Sequence, residues 1–298
     1  MRATLMLSLI LSLMLALTIS SLGQTRPANL KPGSVEAKAL AFFERIEDRS
    51  FDDYLRRVRL PKIPDVFKAE VLARLAKGKE VRVSDRMKQE LAALEPILRY
   101  HERDSVIEIG VIGVKHLFVG LQGRAVLLIS EPALNQLSTE ELQATVAHEL
   151  GHEYFWGEFM EARQRKERET MREIELRCDG VAVIALRRLG LDPAKLVSAL
   201  SRMRMLNARI LDTDPLYHPQ PDERSRFIRA MSELARQRGA DFARGTDFGR
   251  RATADTPTAD HAERLVLLPA PCCARYNPFA RTKIISFKER RWLTAISL

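Results

Sequence analysis

Cysteine is scarce in this chain of 298 residues, which holds only Cys178, Cys272 and Cys273. An odd number cannot close into a complete disulfide framework, and adjacent cysteines pair with each other only under strain, so disulfides do not hold this fold. Aromatic residues amount to 6%, and Phe and Tyr do not interleave with a basic stripe as a nucleic-acid stacking platform requires. Beyond the N-terminus no apolar run is long enough to span a bilayer, which excludes a multi-pass membrane protein.

What is present is the balance of a globular protein: 46% hydrophobic and 29% charged residues are enough to bury a core. At roughly 150 residues per domain the length allows one or two domains. Lys and Arg number 48 against 39 Asp and Glu, a formal charge of +9. Such a charge admits nucleic acid or an anionic membrane as partner. Arg is mixed with Glu along helical stretches, however, as in RQRKERETMRE at 163–173, which reads as a solvated, salt-bridged helix, and no nucleic-acid partner is expected.

Residues 1–23 read as a secretory signal: Arg2, an apolar run from Leu5 to Ile19, then Ser21 and Gly23 at plausible minus-three and minus-one positions. The uncharged stretch is also long enough for an uncleaved anchor. Either way the body of the protein is expected on the exported side, periplasmic or secreted, touching a membrane only if the segment stays on.

Residues 24–100 form an N-terminal segment: a short Pro- and Gly-containing linker, then three or four amphipathic helices from VEAKALAFFERIEDR, PDVFKAEVLARLAKG and VSDRMKQELAALEPILRY. They serve either as packing helices or as an inhibitory prosegment. The period changes at 105–130, where β-branched residues punctuated by Gly110, Gly113, Gly120 and Gly123 predict two or three short strands in a small antiparallel sheet. Ser138 and Glu141 then form a capping box that starts a helix near Thr139. Helical pattern resumes over 160–189, ending at Gly190, starts again after Asp192-Pro193, and returns after HPQPDER to about Arg238, stopped by Gly239. Residues 101–240 are thus an α+β, mostly helical domain, and 241–298 read as an irregular tail with neither period.

His148-Glu149-Leu150-Gly151-His152 is HExxH on a predicted helix. Residues four apart share a helical face, so both imidazoles can bind one zinc ion, with Glu149 beside them as the base. Average composition produces this pattern by accident in roughly one chain in a hundred, so context must carry it. A catalytic zinc takes three protein ligands. The metzincin arrangement needs His and Gly where this chain has Glu158 and Phe155. The gluzincin arrangement needs a Glu from a downstream helix, and Glu175 supplies it. Asp179, one turn later on the same face, is placed to accept a hydrogen bond from a ligating imidazole. Glu173 competes, but it lies about 160° around the helix from Glu175.

With these residues in view the chain resembles the HtpX-like and CAAX prenyl endopeptidase family of gluzincin zinc metallopeptidases. The likeness runs from about 105 to 235, through an acidic helix start into HExxH, ELRCDG in place of ExxAD, the LGLDP turn, and HPQPDER for HPxxxxR. It implies a zincin-like fold, one zinc ion per chain, and endopeptidase activity on polypeptides, possible substrates being unfolded exported proteins. It also implies that His218 binds substrate or stabilises the oxyanion and that Arg224 supports the cleft. Cys178 stands where the family has Ala, and the short gap from His152 to Glu175 points to a compact member without a lid insertion. A second expectation, from another class, is an exported chaperone-like or binding module that keeps the metal but cleaves little because its cleft is occluded.

Overall fold

In a computed structural model, helix α1 (Val35–Glu47) is followed by α2 (Asp85–Ala92), α3 (Glu95–Tyr100), α4 (Glu131–Gln136), α5 (Thr139–Arg165), α6 (Arg168–Arg188), α7 (Ala194–Asn207) and α8 (Pro221–Gln237). The strands are β1 (Gly78–Lys79), β2 (Glu108–Ile112), β3 (Val119–Gln122), β4 (Val126–Ser130), β5 (Leu265–Leu267) and β6 (Ala270–Pro271). The structure describes residues 30–47, 63–66, 68–69, 78–79, 81, 83–208, 218–237, 265–267 and 270–271. The signal segment 1–23, most of the expected helix at 64–78, His261, Cys272 and Cys273 lie outside them.

The class is α+β, mostly helical, as the pattern predicts. The sheet differs from expectation. Its order is β3-β4-β2-β5, with β2 parallel to both β4 and β5 and β3 antiparallel to β4, so it is mixed rather than antiparallel. The segment 113–118 carries the chain past the place of β4, and the following hairpin then folds β4 into the gap beside β2. Short apolar strands carry no signal of direction, which is why the sequence could not distinguish these pairings. β4, flanked on both sides, is buried along its whole length. The tail read as irregular contributes β5 to this sheet and β6 to a two-stranded ladder with β1.

Capping fixes where the long helix starts. Ser138 Oγ accepts from the Glu141 N–H and Glu141 Oε2 accepts from the Ser138 N–H at 2.9 Å, the reciprocal box expected there. From Glu141 to Trp156 every residue of α5 is buried, because α6, α7 and β3 pack around it. α5 ends at Lys166 in the left-handed conformation and the chain turns at once into α6, so the helix expected over 160–189 is broken inside its charged stretch, its first residues belonging to α5. One apolar cluster joins α1 through Phe42, Phe43 and Ile46 with α5, with Val181 and Ile184 of α6, and with Phe227 and Met231 of α8.

Candidate metal centre

α5 and α6 meet where Gly151 faces Cys178. A Cβ added at Gly151 would lie 2.9 Å from Cys178 Cα and 3.0 Å from its carbonyl oxygen, so the absence of a side chain lets the two backbones approach. Gly151 separates Leu150 from His152, and the close crossing therefore brings α6 carboxylates against the α5 imidazoles.

His148, His152 and Glu175 each offer one ligand atom within 4.8 Å of the others, and all three are buried. Glu175 Oε2 lies 3.4 Å from His148 Nε2 and Glu175 Oε1 lies 3.6 Å from His152 Nε2. Two ligands of one tetrahedral ion, with bonds near 2.1 Å, stand about 3.4 Å apart. His152 Nε2 and Glu175 Oε2 have no hydrogen-bond partner although they are buried. Buried polar atoms are almost always satisfied, so a converging unsatisfied pair marks a place for a ligand.

The surrounding charge agrees. Glu149, Glu175 and Asp179 bring three carboxylates to the site against the single guanidinium of Arg224, and all four side chains are buried. The formal excess of two negative charges is that of one divalent cation. The same excess of charge moves the titration of its members. Burial and Arg224 push His148 down, but the hydrogen bond and charge of Asp179, with Glu175, outweigh them and lift it to about 9. Burial, reinforced by the Glu175 charge, raises Glu149 to about 7. His152 goes the other way, to about 4, because burial and the neighbouring cations oppose a second positive charge. Burial works to raise Glu175, yet His152, His148 and His218 hold it well below the usual carboxylate range.

Asp179 occupies the place expected of it. Its Oδ1 lies 2.8 Å from His148 Nδ1, which leaves His148 Nε2 facing Glu175. Arg224 grips Asp179 with both arms of its fork, Nη2 to Oδ1 at 2.6 Å and Nε to Oδ2 at 2.9 Å. Arg224 Nη2 also lies 3.2 Å from His148 Nδ1. The guanidinium is therefore a buried anchor that works through Asp179, rather than a lining of an open cleft. His152 has a softer partner, Cys178 Sγ at 3.5 Å from its Nδ1. Cys178 thus places sulfur beside His152.

Glu149 Oε2 accepts the backbone N–H of Leu121 at 3.2 Å, while its Oε1 has no partner. His218, at the start of the HPQPDER turn, has Nδ1 3.7 Å from Glu175 Oε2, and its side chain is 26% exposed. Glu173 is exposed and takes no part.

Three contributions were not anticipated. Glu153 Oε2, buried immediately after HExxH, accepts from Arg103 at 3.0 Å and from Arg124 of the β3–β4 hairpin at 3.1 Å, fixing that hairpin against α5. A charge set directly before Tyr154-Phe155-Trp156 is the signal that would have found it. Leu121 contributes only backbone, and Asn207, which binds the backbone of Leu117, lies 90 residues away from it, so neither has a sequence signature. No protein-family model, curated protein or solved structure matches this chain, so the buried group that could hold a metal ion, with its partners, is what speaks for its chemistry.

Proposed function

We propose that this chain is a zinc-dependent metalloendopeptidase of the gluzincin type, similar to the HtpX-like family and acting on polypeptides in the exported compartment. His148, His152 and Glu175 hold one zinc ion. The observation that carries the reading is the convergence of His148, His152 and Glu175, all buried, with His152 Nε2 and Glu175 Oε2 left without hydrogen-bond partners.

Zinc held there supplies Lewis acidity, polarising a carbonyl and acidifying water next to it. Glu149 provides proton transfer: the Leu121 N–H pins Oε2, and the unpartnered Oε1 takes a proton from the attacking water and returns it to the leaving amine. Asp179, gripped by Arg224, keeps the proton of His148 on Nδ1. His218 stands at the more exposed side of the ligand set, within reach of charge developing on a substrate carbonyl.

Burial favours a second reading. His148, Glu149 and His152 are each at most 1% exposed, which suits a metal-containing binding or chaperone-like module with an occluded cleft. One experiment separates the two. Zinc-loaded wild-type chain and Glu149→Gln are compared by elemental analysis and by digestion of unfolded casein with and without chelator. The peptidase reading expects one zinc per chain in both, with chelator-sensitive cleavage by wild type alone. Zinc in both with cleavage by neither supports the binding module, and equal cleavage by both removes Glu149 from the mechanism.

A further inference from the structure

The two imidazoles of the site are held unequally. His148 and His152 stand ring to ring at 90°, with centroids 5.1 Å apart, and each turns Nε2 toward Glu175. An imidazole that gives Nε2 to a metal carries its proton on Nδ1, so each ring then needs an acceptor on the opposite edge. His148 has Asp179 there, at 2.8 Å. His152 has Cys178 Sγ, at 3.5 Å from its Nδ1. Its ring also meets Phe159 edge-on, which packs against it but offers no acceptor.

One local rule places both acceptors. Cys178 and Asp179 follow Glu175 by three and four residues, so all three share the face that α6 turns to α5. Gly151 lets that face come close, since a Cβ there would stand 3.0 Å from Cys178 Cβ. The sulfur is thereby laid against His152, the residue after Gly151, and Cys178 is fully buried. Charge restricts what position 178 can hold. A carboxylate would be a fourth beside Glu149, Glu175 and Asp179, where three against Arg224 already match one divalent cation. A thiol is a small acceptor that stays neutral in such surroundings.

We propose that Cys178 is a positioning residue for the metal: its sulfur accepts the Nδ1 proton of His152, aims Nε2 at the ion and stays outside the coordination sphere. This rests on the metal-binding part of the peptidase reading. The two ring nitrogens aim their in-plane bonds apart, so a sulfur at Nδ1 does not share an ion held by Nε2. The protein ligands remain two nitrogens and one carboxylate.

Zinc affinity by chelator competition and the absorption spectrum of the cobalt(II)-loaded protein test this on the full chain. Cys178→Ala leaves a buried N–H without an acceptor once metal binds, and its zinc affinity should fall about tenfold. Cys178→Ser also gives up the packing of sulfur but returns an acceptor, and should recover affinity to within about threefold of wild type. Equal losses in the two variants would make Cys178 a packing residue and overturn the proposal, as would wild-type affinity in Cys178→Ala. Wild type loaded with cobalt(II) should show no thiolate-to-cobalt charge-transfer band; such a band makes Cys178 a ligand and overturns the proposal whether or not the variants fold. Wild type that binds no zinc removes the peptidase reading and this inference with it, whereas one zinc per chain held equally by all three proteins defeats this inference alone.

Discussion

Glu175 and Asp179 sit one helical turn apart on α6, yet their neighbours give them different work. Glu175 faces both imidazole Nε2 atoms with an oxygen left unsatisfied, whereas both oxygens of Asp179 are occupied by His148 and Arg224. Glu175→Ala is therefore expected to abolish stoichiometric zinc, read by elemental analysis, and to cost some stability because the imidazoles lose their counter-charge. Arg224→Met leaves Asp179 charged, buried and without its fork, and removing one partner of a buried pair destabilises by about 3 kcal/mol, measurable by denaturant unfolding. The same groups set the pH response of the metal-free protein. Arg224 and His148 outweigh burial and hold Asp179 low, and Glu175 is low too, so their stabilisation is present above the ordinary carboxylate range and is lost as pH falls through their folded values. His152, depressed from 6.5 to about 4, adds to that loss, because acid must charge it against burial. His148, raised from 6.5 to about 9, runs the other way: its contribution is full below 6.5 and is lost as pH rises through 9. Zinc must displace that proton, so binding should release protons below about pH 9 and tighten as pH rises toward it. Calorimetry in buffers of different protonation enthalpy reads this directly; zinc binding with no proton release at neutral pH would contradict it.

Among the elements, α5 and α6 were the most legible, because one local rule fixes each. The Ser138 box sets the start of α5, spacing by four puts His148 with His152 and Glu175 with Asp179, and the structure keeps all of these relations. The sheet was less legible, since strand existence is local and pairing is not: β2 finds β4 only after the chain has made β3, and β5 joins from far down the tail. Likewise the Glu153 cluster and the Asn207 clamp join groups far apart in the chain through single contacts that leave no period behind. The α5–α6 crossing can be tested at its closest point. Gly151→Ala places a methyl against Cys178 backbone, which cannot rotate away as a flexible side chain would, so α6 must move outward. A destabilisation of about 1–3 kcal/mol is expected from such overpacking, with weaker zinc affinity because Glu175 moves with α6. Unchanged melting temperature and zinc affinity would show that the crossing has slack.

On the scale of the whole molecule, the N-terminal segment could be a prosegment lying over a finished domain or a part of that domain, and α1 behaves as the second. It packs chiefly on α8 and also touches α6. Phe42, Phe43 and Ile46 belong to the same apolar cluster as Ala147, Leu150, Ile174 and Leu176, the apolar neighbours of His148, His152 and Glu175 in sequence. A Cβ at Gly180, one residue after Asp179, would collide with the Phe42 ring, so Phe42 fills the space that glycine leaves directly behind the metal-facing turn. Phe42 also stacks edge-on against Phe155 of α5, with centroids 6.3 Å apart. A prosegment of the detachable kind would carry polar contacts across an otherwise complete surface, and its removal would expose an active site. Removing α1 instead uncovers core from α6 and α8. Deletion of residues 24–100 is therefore expected to give an unfolded or aggregating chain rather than an activated one. Phe42→Ala, which removes only the ring, should destabilise by about 3–5 kcal/mol and loosen zinc through the Gly180 turn without raising casein cleavage. A truncated chain that stays soluble, melts cooperatively and cuts casein faster than the full one would restore the prosegment.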